Sequence, residues 1–301
     1  MKPGVPVLRT LFVAKTTRPI SLRWCARSAL VLWLAFGASG CTRLLYDRLD
    51  SLAGWYLGSL VTLDDTQRAD LRTWLESTLQ WHRKSELARY AQFLRELAQT
   101  AARPVGRAAF EQAQQRIEGF GQDLVTQAAP EAARLLLTLT PAQVDELLTS
   151  LEEKSQERSD EQREAIADGT WHRKRAKDLQ RQLKRWTGSV TAAQKTLLEQ
   201  VAGELEPTTG EWLDSTRRWR GALRDALAQP RTAASSDRLL ALLRAPDSEW
   251  TAEYLAKAAR NRERVLAMLE SLDASLTPPQ RERLQRELRQ MAGQLEALTE
   301  E

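Results

Sequence analysis

Apolar side chains recur along most of this chain at intervals of three and four residues. Two such stripes are Leu71, Trp74, Leu75 and Leu79, and then Leu87, Tyr90, Phe93, Leu94 and Leu97. No segment of useful length alternates with a period of two, so the pattern predicts an all-α fold, a multi-helix bundle of amphipathic helices. The predicted helices cover residues 43–60, 64–83, 85–101, 107–128, 131–138, 141–168, 170–186, 191–205, 209–228, 236–244, 248–273 and 278–299.

Four of these helices begin with the same local phrase, an apolar residue, a capping oxygen and a glutamine three residues after the cap. The four phrases run from Leu63 to Gln67, Leu139 to Gln143, Val190 to Gln194 and Leu276 to Gln280. We interpret each as a capping box, in which the Asp or Thr oxygen accepts from the N3 amide and the glutamine reaches back to the cap amide. The unequal intervals between them exclude a strict solenoid period.

Proline and glycine set the predicted helix ends. Each proline biases the preceding residue out of the helical region and removes a donor, and a glycine often follows a helix C-terminus. The predicted breaks lie at Pro104, Pro130, Pro207, Pro230, Pro246, Gly169 and Gly188. A boundary near Gly188 would divide the chain into helical regions 41–188 and 189–301, and one continuous helical domain over 41–301 is the alternative.

The N-terminus has the pattern of a bacterial lipoprotein signal peptide, which predicts that residues 1–40 are removed. Basic residues precede a short apolar run from Ala29 to Phe36, and small residues then lead to a cysteine: Ala38, Ser39, Gly40 and Cys41. An uncleaved membrane span is the alternative, but the apolar run is shorter than the roughly 20 residues that a spanning helix needs.

Cys41 is the predicted lipidation site. Its thiol would carry diacylglycerol through a thioether, and N-acylation with a chain such as palmitate would add a second anchor, since more than one chain gives stable attachment. Thr42 rather than an aspartate follows the cysteine. This favours the periplasmic face of the outer membrane over the inner membrane.

Charge changes the picture once the signal peptide is set aside. The whole chain has 44 basic and 40 acidic residues, but six of the basic ones and none of the acidic ones lie in residues 1–40. The remaining chain has 38 basic and 40 acidic residues, so it has no overall positive potential that would attract nucleic acid.

Cys25 and Cys41 are the two cysteines, so the processed chain would have no disulfide or thiolate metal site.

The residue types needed for catalysis are sparse. The chain has two histidines, and it contains no Gly-x-Ser-x-Gly motif and no phosphate-cradling glycine loop. We therefore expect no cofactor besides the lipid, no metal site, no evident small-molecule substrate and no catalytic activity. A cell-wall-active enzyme with two converging carboxylates, a peptidoglycan hydrolase, stays open as an alternative.

One basic segment stands out as a candidate partner or anion surface. Its cations include Arg173, Lys174, Arg175, Lys177 and Arg181, and Asp178 is the local counter-charge. An acidic segment, residues 152–164, precedes it. The two segments could pair as antiparallel helices, or the basic segment could meet an acidic partner or lipid headgroups.

The tetrapeptide Trp-His-Arg-Lys occurs twice, at residues 81–84 and 171–174, and contains both histidines. It could bind an anionic group, but adjacent helical residues point about 100° apart, so we expect the tryptophan in the core and the cations in solvent. Trp212 and Trp219, seven residues apart, share a face. We expect six tryptophans to fill interhelical space: Trp55, Trp74, Trp81, Trp186, Trp212 and Trp250.

The chain also resembles an uncharacterised proteobacterial family of all-helical lipoproteins, a domain of unknown function. The residues that carry this resemblance are the lipobox, Tyr46 to Leu49, the Leu63 to Gln67 cap, Trp81 to Arg83 and the segment from Trp186 to Gln194. A more distant similarity is to the Spy and CpxP periplasmic stress proteins, whose helices also carry Leu-Thr-x-x-Gln. The first resemblance implies a helical periplasmic protein on a lipid tether, and the second implies chaperone activity as an alternative.

Together these patterns predict a lipid-anchored periplasmic lipoprotein that binds or scaffolds other proteins of the cell envelope. Its partners would be the membrane, through the lipid, and envelope or periplasmic proteins.

Overall fold

The computed structural model describes Tyr46, residues 48–230 and residues 232–299, except for the side chain of residue 50. Every regular element in this part of the chain is helical and none is a strand, which confirms the all-α prediction. The α-helices are α1 (Leu49–Gly58), α2 (Asp65–Trp81), α3 (Leu87–Thr100), α4 (Arg107–Leu136), α5 (Pro141–Ala167), α6 (Trp171–Thr187), α7 (Ala192–Glu204), α8 (Thr209–Ala228), α9 (Ala233–Arg244), α10 (Ala252–Ala274) and α11 (Pro278–Ala297).

A π-helical turn, His82–Glu86, joins α2 directly to α3. The sequence pattern predicted a break between two helices here, but the backbone stays helical through Trp81, His82 and Leu87. A short 3₁₀ helix, Pro246–Glu249, precedes α10. None of the helices in the described ranges is long and apolar enough to span a bilayer.

The four predicted helix starts are confirmed as capping boxes, at α2, α5, α7 and α11. At α2, for example, the Asp64 carboxylate accepts from the Gln67 amide at 2.8 Å, and Gln67 Oε1 accepts from the Asp64 amide at 3.0 Å. A fifth box, Thr232 with Ser235, opens α9. This box was not predicted, because serine stands where the other four phrases have glutamine.

The capping glutamines meet in pairs, which the sequence did not predict. Gln67 Nε2 donates to Gln143 Oε1 at 3.1 Å and Gln143 Nε2 donates back at 2.7 Å. Gln194 and Gln280 exchange the same two bonds at 3.0 and 2.9 Å. The first box is thus paired with the second, and the third with the fourth.

Each paired glutamine also binds the chain that leads into its partner's helix. Gln67 Nε2 donates to the Thr138 carbonyl and Gln143 Nε2 to the Thr62 carbonyl. In the second pair the acceptors are the carbonyls of Ser275 and Ser189. In all four cases the acceptor lies two residues before the partner's cap, so each pair has a local twofold relation.

Pro130 does not end a helix, contrary to the prediction of separate helices over 107–128 and 131–138. It lies inside α4, which continues to Leu136. Ala129 and Ala133 on either side are buried against α8 and α9. This packing holds the segment helical despite the lost backbone donor.

The largest apolar cluster lies between α3 and α11. It contains Leu87, Tyr90 and Phe93 from α3 and Leu288 and Leu295 from α11, among others. Further clusters join α4 to α8 and α9, α2 to α5, and α7 to α10. The core therefore connects helices that are far apart in sequence.

A buried ion pair fastens the turn before α11 to the end of α3. Arg281 donates to Asp273 Oδ1 at 2.8 Å and to the Ala101 carbonyl at 3.1 Å, and both charged side chains are about nine-tenths buried. Asp273 Oδ2 accepts from the Val105 amide at 2.7 Å. Both charged groups therefore have hydrogen-bond partners besides each other, Ala101 for Arg281 and Val105 for Asp273, as a buried ion pair requires.

The tryptophan predictions are confirmed in part. Trp212 is 2% exposed in a cluster with Tyr254, and Trp250 packs against that cluster. Trp74 and Trp186 are half-buried against other clusters, Trp81 is half-buried, and Trp219 packs beside α9.

The prediction that Trp55 lies in the core is wrong. Its side chain is 65% exposed. Helix α1 instead packs on α2 through Tyr56 and Leu57, which lie against the cluster that contains Leu71.

Candidate functional site: the basic face of α6

The predicted basic segment forms helix α6, which ends at Gly188. Gly188 has a φ of +78°, which glycine adopts without strain, and a Cβ there would lie 2.7 Å from Arg283 Cδ. The Ser189 carbonyl that follows accepts from Gln280. The C-terminal end of α6 is therefore fixed by its glycine and by a capping pair.

The inner side of α6 is apolar and packs against α7 and α11. Trp171, Leu179 and Leu183 lie against the cluster of α7 and α10, and Ala176 is buried. Since these residues are three to five positions apart, they form one stripe. The cations between them consequently project from the other side.

Five cations form the outer side, which we call the basic face: Arg173, Lys174, Lys177, Arg181 and Lys184, all exposed. They span about 16 Å of helix at about 1.5 Å per residue. Among the described residues, the side chains of Arg173, Lys174, Lys177 and Lys184 have neither an ion pair nor a hydrogen bond, and Arg181 pairs with Asp178 within α6. Four positive charges thus face solvent without a local counter-charge in contact.

Two carboxylates mark the edges of the basic face. Asp178 stands on one edge, and Glu199 of α7, which accepts from Gln180 and pairs with Lys195, stands on the other.

Of the predicted residues, Arg175 does not share the face, because it is half-buried and about 200° around the helix from Arg173 and Lys177. Lys184 joins it instead. Arg185 lies further inward, where burial lowers the pKa of its guanidinium.

The acidic segment before α6 does not neutralise this face through its own ion pairs. Glu152 binds Arg220 of α8, and Asp160 binds Arg163 within α5. Helix α5 packs mainly along α8 and meets α6 only weakly near the intervening turn. Of the two alternatives from the sequence, the antiparallel pairing of the charged segments is not seen in the described helices, and the basic face stays open to a partner.

The first Trp-His-Arg-Lys sequence begins at the last residue of α2 and continues into the π turn. Its histidine faces inward. His82 Nδ1 and Tyr46 Oη are hydrogen-bonded at 3.0 Å, and the rings of His82 and Tyr90 meet edge to face, 5.5 Å apart. Burial lowers the pKa of His82 to about 4, so the imidazole is neutral at pH 7. Arg83 lies over the Tyr46 ring and Lys84 is exposed.

The second copy has different surroundings. His172 is exposed, with its Nδ1 2.7 Å from the Ala202 carbonyl, while Trp171 packs inward. The shared tetrapeptide consequently does not build two equivalent sites. Both copies have a half-buried tryptophan and an exposed lysine, Lys84 or Lys174, which matches the expectation of core and solvent sides.

An open cleft on α3 and α4 was not predicted. It is lined by Arg89, Gln92, Arg116, Gly119 and Phe120. Both arginines are already paired: Arg89 binds Glu86 and Asp123, and Arg116 binds Glu96. These pairs leave little net positive charge for an anionic ligand, and no sequence motif marks the cleft.

Comparison with known proteins gives one match. Residues 59–255, which run from the end of α1 into α10, match DUF6279, a family of unknown function. The chain belongs to the DUF6279 family. The match includes the basic face, the first capping pair and the π turn. No curated protein and no solved structure matches this chain.

The predicted lipidation residue Cys41 and the recognition residues Ala38, Ser39 and Gly40 lie outside the described residues. They stay predictions from the sequence. The first described residue, Tyr46, is 4% exposed and packs in the cluster of α3 and α11. Cys41 precedes this buried residue of the DUF6279 chain by five positions.

The lowered pKa of His82 should make the free energy of unfolding depend on pH. The unfolded chain binds a proton near the ordinary histidine pKa of 6.5 and the folded chain only near 4. Between these values the unfolded state holds more protons, so the free energy of unfolding should fall as pH falls, by at most about 3 kcal/mol.

Urea unfolding at several pH values between 7 and 4 measures this slope. His82→Gln keeps an acceptor for Tyr46 but does not titrate, and the carboxylates are common to both proteins. The free energy of unfolding is plotted against pH for the natural protein and for His82→Gln. The difference between these two curves should grow as the pH falls below 6.5. Parallel curves would show that His82 titrates normally in the folded protein.

Proposed function

We propose that this protein is a lipid-anchored helical binding or scaffolding lipoprotein of the cell envelope, held by Cys41 on the periplasmic face of the outer membrane. The observation that carries the binding role is the basic face of α6, with four exposed cations that lack ionic partners among the described residues. An acidic surface on another envelope protein is the complementary partner.

Location and binding have separate supports. The signal-peptide pattern and Cys41 support the anchoring. The binding role is supported by the rigid placement of α6, whose apolar side is packed against α7 and α11 while its charged side is free. A preorganised charged helix loses little conformational entropy when it binds.

A Spy-like chaperone role has less support. A holdase needs contiguous apolar surface, yet in the described part the exposed large apolar side chains are Trp55, Ile166 and Leu255, on three different helices. The polar side chains of the Leu-Thr-x-x-Gln segments already cap helices and form the glutamine pairs. We therefore favour recognition by charge.

A wall-degrading activity also has less support. A general acid needs a carboxyl group whose pKa is raised. The shifted carboxyl pKa values among the described residues are all lowered, by arginine or backbone donors, at Glu96, Glu146, Glu206 and Glu296. Our proposal therefore contains no catalytic step.

The anchoring is tested by blocking lipidation. Cys41→Ala, or treatment of cells with globomycin, should leave a precursor that keeps residues 1–40, because signal cleavage depends on prior lipid attachment at this thiol. Intact mass and membrane fractionation measure the result. Cys25→Ala, a change within the signal peptide, is the matched control and should be processed normally. An unchanged mass and unchanged fractionation of Cys41→Ala would overturn the anchoring.

The binding surface is tested by charge reversal in living cells. A photo-reactive residue replaces Lys184, and cross-linked envelope proteins are identified by mass spectrometry. Lys174→Glu with Lys177→Glu should reduce the adduct by about tenfold or more, which corresponds to about 1.4 kcal/mol of binding energy. Lys174→Arg with Lys177→Arg keeps the charge and should keep the adduct.

Within the described ranges the side chains of these lysines make no ion pair or hydrogen bond, so neither double variant should alter stability. A photo-reactive residue at Gln99, exposed on α3, controls for random contacts. Adducts that survive charge reversal, or equal adducts from position 99, would contradict binding through the basic face.

A further inference from the structure

The strongest remaining surface feature is Trp55 on α1. Its side chain is 65% exposed, the most exposed of the large apolar side chains in the described residues. The residues four and seven positions before it, Ser51 in α1 and Arg48 just before the helix, lie on the same side and are both exposed, and Gly58 and Ser59 follow. The outer side of α1 therefore presents one large aromatic ring and one cation among small residues.

Chain length limits how far α1 can be from the lipid. Cys41 and Tyr46 are five residues apart, and an extended chain spans at most about 3.5 Å per residue, so the two lie within about 18 Å. Tyr46 is fixed, because it is buried in the cluster of α3 and α11 and bonded to His82. The helix that follows at once is α1, in which Trp55 is about 9 Å along the axis from Leu49.

The chemistry of the exposed side suits the boundary between lipid and water. Tryptophan concentrates at membrane interfaces, where its ring lies among the headgroups and its N–H stays hydrated. Arginine seven residues earlier lies on the same side, and its guanidinium can bind lipid phosphate. The small residues Ser51 and Gly58 around the ring leave room for headgroups.

We propose that the outer side of α1, with Trp55 at its centre and Arg48 beside it, rests in the headgroup region of the membrane to which Cys41 is anchored. This inference rests on the proposed lipid anchoring. The lipid and Trp55 are then two separate contacts with one bilayer. Two contacts restrict the bundle to rotation about the line that joins them, whereas a lipid alone would leave it free to rotate in every direction.

A unique thiol gives a direct test. The processed, lipidated protein has no free cysteine, since Cys25 leaves with the signal peptide and the Cys41 sulfur carries lipid. Trp55→Cys can therefore be labelled with a polarity-sensitive fluorophore in the full lipidated protein. Leu255→Cys, at another exposed apolar position on α10, is the matched control.

The proteins are reconstituted through their lipid into phosphatidylethanolamine and phosphatidylglycerol vesicles, with or without brominated acyl chains. At position 55 the emission should move to shorter wavelength and should be quenched by brominated lipid. At position 255 neither change should occur. As a second measurement, brominated lipid should quench the tryptophan emission of the unlabelled protein, and Trp55→Phe should abolish that quenching.

Intact mass shows whether a failure lies in the lipid anchoring or in the membrane contact of α1. Absence of lipid on Cys41 would overturn the anchoring and this inference together. Lipid on Cys41 with a water-exposed probe at position 55 would overturn this inference alone. A shift at position 55 that follows protein concentration and ignores brominated lipid would indicate self-association through α1, and would also overturn it.

Discussion

The reciprocal hydrogen bonding of four capping glutamines is the constraint on which the rest of the structure depends. Each glutamine amide accepts from its own cap amide and from its partner, and donates to its partner and to the chain before its partner's cap. Gln194 and Gln280 are each only 1% exposed. Because burial of an unpaired amide is costly, this full set of bonds fixes two helix N-termini against each other in one arrangement.

The two pairs also position the two surfaces to which we assign a function. The pair of Gln194 and Gln280 holds the Ser189 carbonyl, next to the C-terminus of α6. The pair of Gln67 and Gln143 holds the Thr62 carbonyl, at the turn between α1 and α2. The basic face and the helix with Trp55 are thus each joined to a capping pair through a few residues of backbone. Partner binding and membrane contact, as we propose them, would occur on rigid supports.

The sequence predicted what depends on neighbouring residues. The capping boxes and the stops at Gly169 and Gly188 need only contacts within a few residues, and both glycines have positive φ as expected of such stops. The pairing of Gln67 with Gln143 joins positions 76 residues apart, and nothing in either phrase indicates its partner. The failure at Pro130 has the same origin, because the packing that keeps α4 helical comes from α8 and α9.

Charge and hydrophobicity were weaker guides than local capping. Opposite charges of α5 and α6 suggested that the helices pair, but an exposed ion pair contributes only about 0–1 kcal/mol, so apolar packing of α5 on α8 decides the arrangement. Trp55 was expected in the core because it is large and apolar. A short helix that contacts a membrane, as we propose for α1, need not bury every such residue, and the sequence pattern alone does not separate a core tryptophan from a membrane-facing one.

The free energy of unfolding of Gln280→Ala, compared with that of Gln143→Ala, tests the dependence of the fold on the buried pair most directly. Both changes remove one glutamine from a pair, but Gln143 is partly exposed and lies between exposed caps, where water can replace it. In urea unfolding followed by circular dichroism, we expect a loss of about 2–4 kcal/mol for Gln280→Ala and about 1 kcal/mol for Gln143→Ala. Equal, small losses for the two variants would contradict the account.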